Sequence, residues 1–184
     1  MNVLGVSGSL RKGSFNSAAL RAAQSLAPHG MTIQVAVIGD FPLYNEDVRA
    51  VGFPPPVERF RTQIAAADAL LFVTPEYNFS VPGVLKNAID WASRPPNQPF
   101  NEKPVAIMGA AGGPLGTARA QYHLRQVLYG LNAFLVNKPE VFIGQAATKF
   151  DEAGDLTDDT TKDFIRKLLE SLAAWTKRVQ AGAA

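Results

Sequence analysis

Cysteine is absent from this sequence of 184 residues. Its absence excludes disulfide bonds, cysteine-ligated metals and a catalytic thiol. The sequence has two histidines, His29 beside Gly30 and His123 within a helical pattern. Neither has a second histidine or an acid at metal-ligand spacing, so we interpret both as structural and expect no metal.

Long apolar runs and runs of basic residues are also missing. No apolar stretch approaches the ~20 residues of a membrane-spanning helix, and the chain begins in a strand pattern without the features of a secretion signal. We therefore expect a soluble, cytoplasmic protein with no membrane partner. Lys and Arg are scattered and the formal net charge is only +2. This balance favours a small anionic ligand over nucleic acid.

The length and composition indicate one globular domain over residues 1–184. Hydrophobic residues make up 47% of the chain and charged residues 18%, which excludes a disordered protein. Short runs rich in Val, Ile and Leu alternate with longer amphipathic ones, as in a parallel sheet that is covered on both faces. The predicted strands are 2–7, 32–38, 69–74, 104–109 and one between 134 and 143. The predicted helices are 17–27, 57–67, 82–92, 117–130 and 158–179.

Five strand–helix units predict an α/β fold. They fit a flavodoxin-like three-layer α/β/α sandwich, with a five-stranded parallel sheet of order 2-1-3-4-5, better than a six-stranded dinucleotide fold. Ligands of such sheets bind outside the carboxyl ends of the strands, near strands 1 and 3. The loops that follow strands 1, 3 and 4 are therefore the candidates for a binding site.

The loop after the first strand reads GVSGSLRKGSFNS over residues 5–17. It leads into a helix, whose first N–H groups and dipole attract an anion. The loop adds serine hydroxyls, the cationic fork of Arg11, and Gly8 and Gly13, which let the backbone approach a ligand. Neither the Walker spacing nor G-x-G-x-x-G is present. The pattern predicts a phosphate site, and an ordinary polar loop with a Ser or Asn helix cap is the alternative.

The loops after strands 3 and 4 suggest what else the site holds. Residues 75–91 read PEYNFSVPGVLKNAIDW. Ser80 can cap the following helix and Pro82 suits its first turn, whereas Tyr77 and Asn78 suit contact with a planar heterocycle. The third loop, GAAGGPLGT at 109–117, has so little side-chain bulk that its backbone N–H groups can face a ligand, although a flexible glycine-rich turn explains it equally well.

The segments GSLRKGSFN and PEYNFSVPGVLKNAIDW, in this order, resemble the two signatures of the NAD(P)H-dependent FMN reductases. This flavodoxin-like family includes bacterial quinone, chromate and azo-dye reductases, and the resemblance spans about residues 1–180. It implies an FMN cofactor held by three sets of residues. The phosphate would be bound by Ser9, Arg11, Ser14, Asn16 and Ser17. The isoalloxazine ring would be lined by Pro75, Glu76, Tyr77, Asn78 and Ser80. Its pyrimidine edge or the ribityl chain would be approached by Ala111, Gly112, Gly113 and Gly116.

The resemblance also implies the reaction. NADPH or NADH would deliver hydride to N5 of FMN, and an acceptor such as a quinone, free FMN, an azo compound or chromate would then take its place, giving ping-pong kinetics. Because FMN carries the chemistry, no catalytic side chain is required. The resemblance further implies a homodimer or homotetramer, with helices 82–92 and 117–130 at a subunit contact and segment 43–48 near both the rim of the site and the subunit contact.

Several alternatives stay open at this point. A flavodoxin-like electron carrier is one, although such carriers are usually acidic and this chain is slightly basic. A flavin-based redox sensor is another. Glu76 suits a general acid or a conformational role, Lys86 and Asp90 should pair across one helical turn, and Trp91 and Trp175 suit the core or a subunit contact.

Overall fold

The structure is a computed structural model that describes residues 1–182. Its strands are β1 (Asn2–Ser7), β2 (Thr32–Ala36), β3 (Ala69–Val73), β4 (Pro104–Ala110), β5 (Phe134–Leu135) and β6 (Val141–Ile143). Its helices are α1 (Phe15–Ser25), α2 (Glu46–Val51), α3 (Pro55–Ala66), α4 (Gly83–Ala92), α5 (Ala118–Tyr129) and α6 (Asp159–Gly182), with a short 3-10 helix at Ala146–Thr148.

The strands form one parallel sheet of order β2-β1-β3-β4-β5, which confirms the predicted flavodoxin-like order. The last predicted strand, between 134 and 143, is split in two. Its first part pairs with the start of β4 through Phe134 opposite Pro104, and its second part pairs with the end of β4 through Val141 opposite Met108. Between the two parts lies Pro139, which has no N–H to offer to the ladder.

Helices cover both faces of the sheet, so the fold has the three predicted layers. Every residue of β3 and β4 is buried, as the continuous apolar runs indicated. One core cluster joins the sheet to α1 and α6 through residues such as Leu20 and Leu169. The other joins it to α3, α4 and α5 through residues such as Phe60, Ile89 and Leu124.

Trp91 lies wholly inside the core, and its indole N–H donates to the carbonyl of Pro42 at 2.9 Å. Of the two roles predicted for Trp91, the core role is therefore the one that the fold assigns. The indole of Trp175 is half-buried and donates to the carbonyl of Phe134 at 3.0 Å. The expected pair of Lys86 and Asp90 is confirmed at 2.8 Å on the surface of α4.

Helices α1 and α3 each begin two residues before their predicted starts, and one helix, α2, was not predicted. Helix α1 begins at Phe15, before the predicted start at 17, because Ser14 is its N-cap. Helix α2 was not predicted at all. It has six residues, none of them buried, so it carries no apolar period to detect, and its beginning is set by the side chain of Asn45, which accepts from the N–H of Asp47.

The sequence predicts neither a membrane-spanning helix nor a metal site, and the structure bears on both points for residues 1–182. Over residues 1–182, no helix has the length and apolarity needed to cross a bilayer. No group of three or more His, Asp or Glu side chains within that range is arranged to hold a metal ion. The predicted domain ends at 184, and its last two residues lie outside the described range.

Candidate functional site

Three loops meet at the carboxyl edge of the sheet: the β1 loop (residues 8–14), the β3 loop (74–82) and the β4 loop (111–117). The N–H of Gly8 donates to the carbonyl of Val73 at 2.9 Å, and the N–H of Thr74 donates to the carbonyl of Met108 at 3.0 Å. A Cβ added to Gly8 would lie 3.2 Å from the ring of Pro75. The topology therefore brings the predicted segments together, since parallel strands present their carboxyl ends at one edge.

Two serines of the β1 loop region have partners within the chain. The buried hydroxyl of Ser14 accepts from the backbone N–H groups of Asn16 at 3.2 Å and Ser17 at 3.4 Å, which caps α1. The hydroxyl of Ser17 lies 3.0 Å from that of Ser7. The helix cap that the sequence offered as an alternative is thus present, and it uses the Ser14 oxygen that was also considered for a phosphate.

Asn16 connects the β1 loop to the end of β4. Its side chain is buried and donates to the carbonyl of Ala110 at 2.9 Å, while its own oxygen accepts from the N–H of Ala110 at 2.8 Å. Both halves of the amide are therefore paired with one backbone residue. This contact joins α1 and β4 across 94 positions of sequence.

Ser9 and Arg11 are two polar side chains of the β1 loop that are open to a ligand, and Lys12 beside them is exposed as well. The hydroxyl of Ser9 accepts a long bond of 3.4 Å from the N–H of Arg11 and keeps its own hydrogen to donate. The exposed guanidinium of Arg11 lies 5.7 Å from the ring centre of Phe15 and has no carboxylate partner within residues 1–182. A phosphate placed here would meet an unpaired cation beside the N-terminus of a helix.

The β3 loop contains a two-residue turn at its tip. The backbones of Tyr77 and Ser80 exchange hydrogen bonds of 3.1 and 3.0 Å around Asn78 and Phe79, whose φ angles are 50° and 64°. Asn tolerates this left-handed backbone, whereas it is strained for Phe. The turn presents Tyr77, which is 50% exposed, and Asn78 at the edge of the sheet.

Ser80 does not cap α4, so that prediction was wrong. The N-cap is Pro82, without a side-chain bond, and the Ser80 hydroxyl lies instead 3.0 Å from Nδ1 of His123 on α5. The backbone pairing with Tyr77 holds Ser80 away from the first N–H groups of the helix.

Helix α5 contacts the β3 loop through two further residues. The Glu76 carboxylate accepts from the guanidinium of Arg119 at 3.2 Å and from the backbone N–H of Ala120 at 3.1 Å. The guanidinium of Arg119 also lies 4.1 Å from the ring centre of Phe79. Sequence reasoning missed Arg119 and assigned His123 no contact, although their spacing of four residues puts them on one helix face.

The β4 loop combines fixed and open positions. The N–H of Ala111 donates to the carbonyl of Ile143 at 3.0 Å, and Gly116 has a φ of 58° with no room for a side chain against the backbone of Phe142. In contrast, a Cβ at Gly112 or Gly113 would meet nothing within 4 Å. The open backbone here, the flat ring of Tyr77 and the free guanidinium of Arg11 fit a planar ligand with an anionic tail, as FMN is.

Segment 43–48 contacts helix α4 through Tyr44. The N–H of Tyr44 donates to the side-chain oxygen of Asn87 at 2.8 Å, and its ring packs edge-on against Trp91 at 5.0 Å. The Tyr44 hydroxyl donates to Glu46, and this hydrogen bond is the main reason that the pKa of Tyr44 is raised. Leu43 stays 84% exposed. The segment therefore has a fixed backbone and an exposed apolar side chain.

Comparison with known proteins gives consistent matches over nearly the whole chain. The family model described as NADPH-dependent FMN reductase matches residues 1–148, a range that contains all three loops. An NAD(P)H-dependent FMN reductase from Pseudomonas aeruginosa is 61% identical over 180 residues, covering 98% of this chain and 97% of the relative. A quinone reductase from Escherichia coli K12 is 45% identical, with coverage of 98% and 97%.

One solved structure also matches nearly the whole chain. The flavoenzyme NAD(P)H:(acceptor) oxidoreductase FerB from Paracoccus denitrificans superimposes with a TM-score of 0.87 at 37% identity. The match covers 96% of this chain and 97% of that one.

Proposed function

Because this chain belongs to the NADPH-dependent FMN reductase family, we propose that it is an NAD(P)H-dependent FMN and quinone reductase. NADPH or NADH is the electron donor, and quinones or similar small molecules such as FMN, azo compounds or chromate are the acceptors. FMN is bound across the β1, β3 and β4 loops.

One observation carries this proposal: the full-length similarity to a P. aeruginosa FMN reductase at 61% identity. The geometry supports it independently, because the three loops share one edge and differ in what they offer. The β1 loop supplies a free cation, the β3 loop a half-exposed aromatic ring, and the β4 loop an open backbone. A ligand with a phosphate at one end and a flat ring at the other meets complementary groups in all three places.

We assign the cofactor contacts according to which atoms are free. Arg11 and Ser9 hold the phosphate through their side chains, assisted by the N-terminal dipole of α1. Ser14, Asn16 and Ser17 shape this loop, because their side chains already bond within the chain.

At the ring, Glu76 offers its main-chain N–H, while Tyr77 packs and Asn78 bonds through its side chain. Pro75 and Ser80 line the ring and shape the loop, because the Pro75 carbonyl accepts from the Thr74 hydroxyl and the Ser80 backbone pairs with that of Tyr77.

On the other side, Gly112 and Gly113 approach with their open backbone. Ala111 and Gly116 shape the loop next to them, because their N–H groups donate to the carbonyls of Ile143 and Gly113.

Bound FMN would supply the hydride chemistry, accepting from the nicotinamide and donating to the acceptor. The chain's part is to bind, orient and stabilise. The N–H groups of Gly112 and Gly113 in the open part of the β4 loop would stabilise the negative charge of the reduced flavin, without any proton transfer by a side chain. The exposed edge leaves one position for both substrates in turn, which predicts ping-pong kinetics.

We also propose that the chain assembles as a homodimer or homotetramer. Exposed apolar side chains on α5 and on segment 43–48, such as Tyr129 and Leu43, support this. Light scattering of the purified protein should give a mass of two or four chains, and a monomer would contradict the proposal.

The reductase proposal is tested by steady-state oxidation of NADPH and NADH with quinone, azo dye, chromate and free FMN as acceptors. Purified protein should show flavin absorbance, or should acquire activity when FMN is added. Protein that binds no flavin and does not oxidise the nicotinamide with any acceptor would refute the proposal. An electron carrier would accept electrons from a separate reductase without oxidising NADPH or NADH itself.

A further inference from the structure

We propose that Glu76 is a positioning residue that couples the β3 loop to helix α5 and thereby sets the affinity for FMN. The inference rests on the proposed function, since it concerns the same site. Glu76 acts through the helix and the turn that it holds, and requires no proton transfer from its carboxyl group.

Helix α5 has no cap of its own. Its N-cap residue, Thr117, makes no side-chain bond to the helix N-terminus and accepts instead from the amide of Gln121 at 3.0 Å, and the first turn contains no acid. The Glu76 carboxylate takes over this role by accepting from the N–H of Ala120, the third residue of the helix, at 3.1 Å. This is the N–H that an N-cap side chain would bind. The cap therefore comes from a residue 44 positions earlier in the chain.

The same helix face holds the turn at the tip of the β3 loop. Arg119 pairs with Glu76 at 3.2 Å and stacks on Phe79 at 4.1 Å, while His123 bonds to Ser80 at 3.0 Å. The turn includes Phe79 at a φ of 64°, a conformation that persists only where surrounding contacts impose it. Glu76 and α5 supply these contacts.

The hydrogen bond from Ala120 to Glu76 also links two loops of the candidate site. Glu76 belongs to the β3 loop, and α5 directly follows the β4 loop, so the bond fixes the separation of the two loops. The Glu76 side chain is only 11% exposed, which limits screening of its bonds by solvent. A ligand that touches both loops binds more tightly when their spacing is set in advance.

The experiment compares Glu76→Ala and Glu76→Gln with Asp158→Ala as the matched control. Gln keeps an oxygen that can accept from Ala120 and loses the charge. Asp158 is a comparable cap away from the site, because its carboxylate accepts at 2.8 Å from the N–H of Thr161, the third residue of α6. All variants are made in the full chain, and FMN affinity is measured by quenching of flavin fluorescence.

We expect Glu76→Ala to weaken FMN binding by about tenfold or more, which is ~1.4 kcal/mol. Glu76→Gln should stay within roughly threefold of wild type, because the cap survives. Asp158→Ala should lower the melting temperature by about 2–4 °C, the shift that loss of a cap gives in a chain of this size, and should leave FMN affinity unchanged.

Hydrogen exchange of the Ala120 amide in flavin-free protein tests the cap without the cofactor. Exchange should accelerate in Glu76→Ala and remain near wild type in Glu76→Gln. Unchanged exchange in Glu76→Ala, or unchanged FMN affinity despite faster exchange, would overturn the proposal. Wild-type protein that binds no FMN would instead refute the proposed function, while the exchange result would still report on the cap.

Discussion

The β1 loop and the β3 loop face the same edge of the sheet and use their side chains differently. At the tip of the β1 loop, Leu10 and Arg11 are exposed, and Arg11 forms no ion pair with a carboxylate among residues 1–182. In the β3 loop, the side chains of Glu76, Phe79 and Ser80 all contact α5.

The difference indicates how each loop would recognise a ligand. Free side chains in the β1 loop suit direct contact with a charged group. In the β3 loop, the side chains of Glu76, Phe79 and Ser80 fix the backbone, which positions Tyr77 and Asn78 for the ligand. Mutations of Ser9 and Arg11 should therefore affect ligand affinity directly, whereas mutations of Glu76, Phe79 or Ser80 should act through loop geometry or stability.

The largest effect is expected where the β3 loop meets the end of β4. A Cβ added to Gly109 would overlap the carbonyl oxygen of Thr74 and the hydroxyl of Thr117. Because that carbonyl belongs to the backbone and cannot easily move, Gly109→Ala should lower the free energy of unfolding by about 3–5 kcal/mol. Urea denaturation measures this. The control is Gly112→Ala, where the added Cβ meets nothing within 4 Å, and it should cost less than ~0.5 kcal/mol. Equal stability of the two variants would contradict the rigid contact.

The next effect tests the buried link that Asn16 makes from helix α1, directly after the β1 loop, to the end of β4. Asn16→Ala removes both partners of the buried Ala110 backbone groups, so the free energy of unfolding should fall by about 2–4 kcal/mol. Gln24→Ala is the control on the same helix, since the exposed Gln24 makes one bond, to the carbonyl of Ile33. If both variants unfolded at the same urea concentration, the link between α1 and β4 would be unimportant for stability.

Arg11→Ala tests whether the β1 loop contacts the ligand directly through a side chain. Loss of a charge-assisted phosphate contact should weaken FMN affinity by about 1.5–3 kcal/mol, or roughly 10- to 150-fold, with little change in stability because Arg11 is exposed and unpaired. Fluorescence titration with FMN measures it. Arg166→Ala, an exposed arginine on α6, is the control for lost positive charge. FMN affinity equal to wild type in Arg11→Ala would show that the phosphate does not bind at the β1 loop.

The smallest effect concerns a cap outside both loops. Hydrogen bonds from the hydroxyl and N–H of Thr161 lower the pKa of Asp158. A carboxyl whose pKa is lowered in the folded state stabilises the fold above the ordinary aspartate pKa, and this contribution is lost as pH falls through the lowered value. Wild type should thus be more stable than Asp158→Asn at neutral pH, and the difference should disappear in strong acid. Urea denaturation at several pH values measures this, and a difference independent of pH would contradict it.

The strands at the centre of the sheet were predictable because burial on both faces leaves a continuous apolar run, as in β3 and β4. Short or exposed elements gave a weaker signal. Helix α2 buries no residue and was not predicted, and the prediction of one last strand between 134 and 143 did not show its division into β5, of two residues, and β6. That the domain is single stays a prediction, supported by the one sheet in which all the strands lie.

The meeting of the three loops of the candidate site was predictable, whereas the contacts of their side chains were not. Ser80 shows the limit: its place before a helix predicted a cap, whereas the folded chain directs it to His123. Glu76 shows the converse, since nothing near it in the sequence indicates that it caps a helix 44 residues away.

The sequence by itself determined the central strands and the five long helices, because apolar periodicity and turn residues act locally. It thereby also determined the edge at which three loops meet, since parallel strands present their carboxyl ends at one edge. Only the tertiary structure decided which polar side chains in those loops are free and which are bonded. The reason is that their partners, Ala110 for Asn16 and Ala120 for Glu76, become neighbours only when the sheet has assembled.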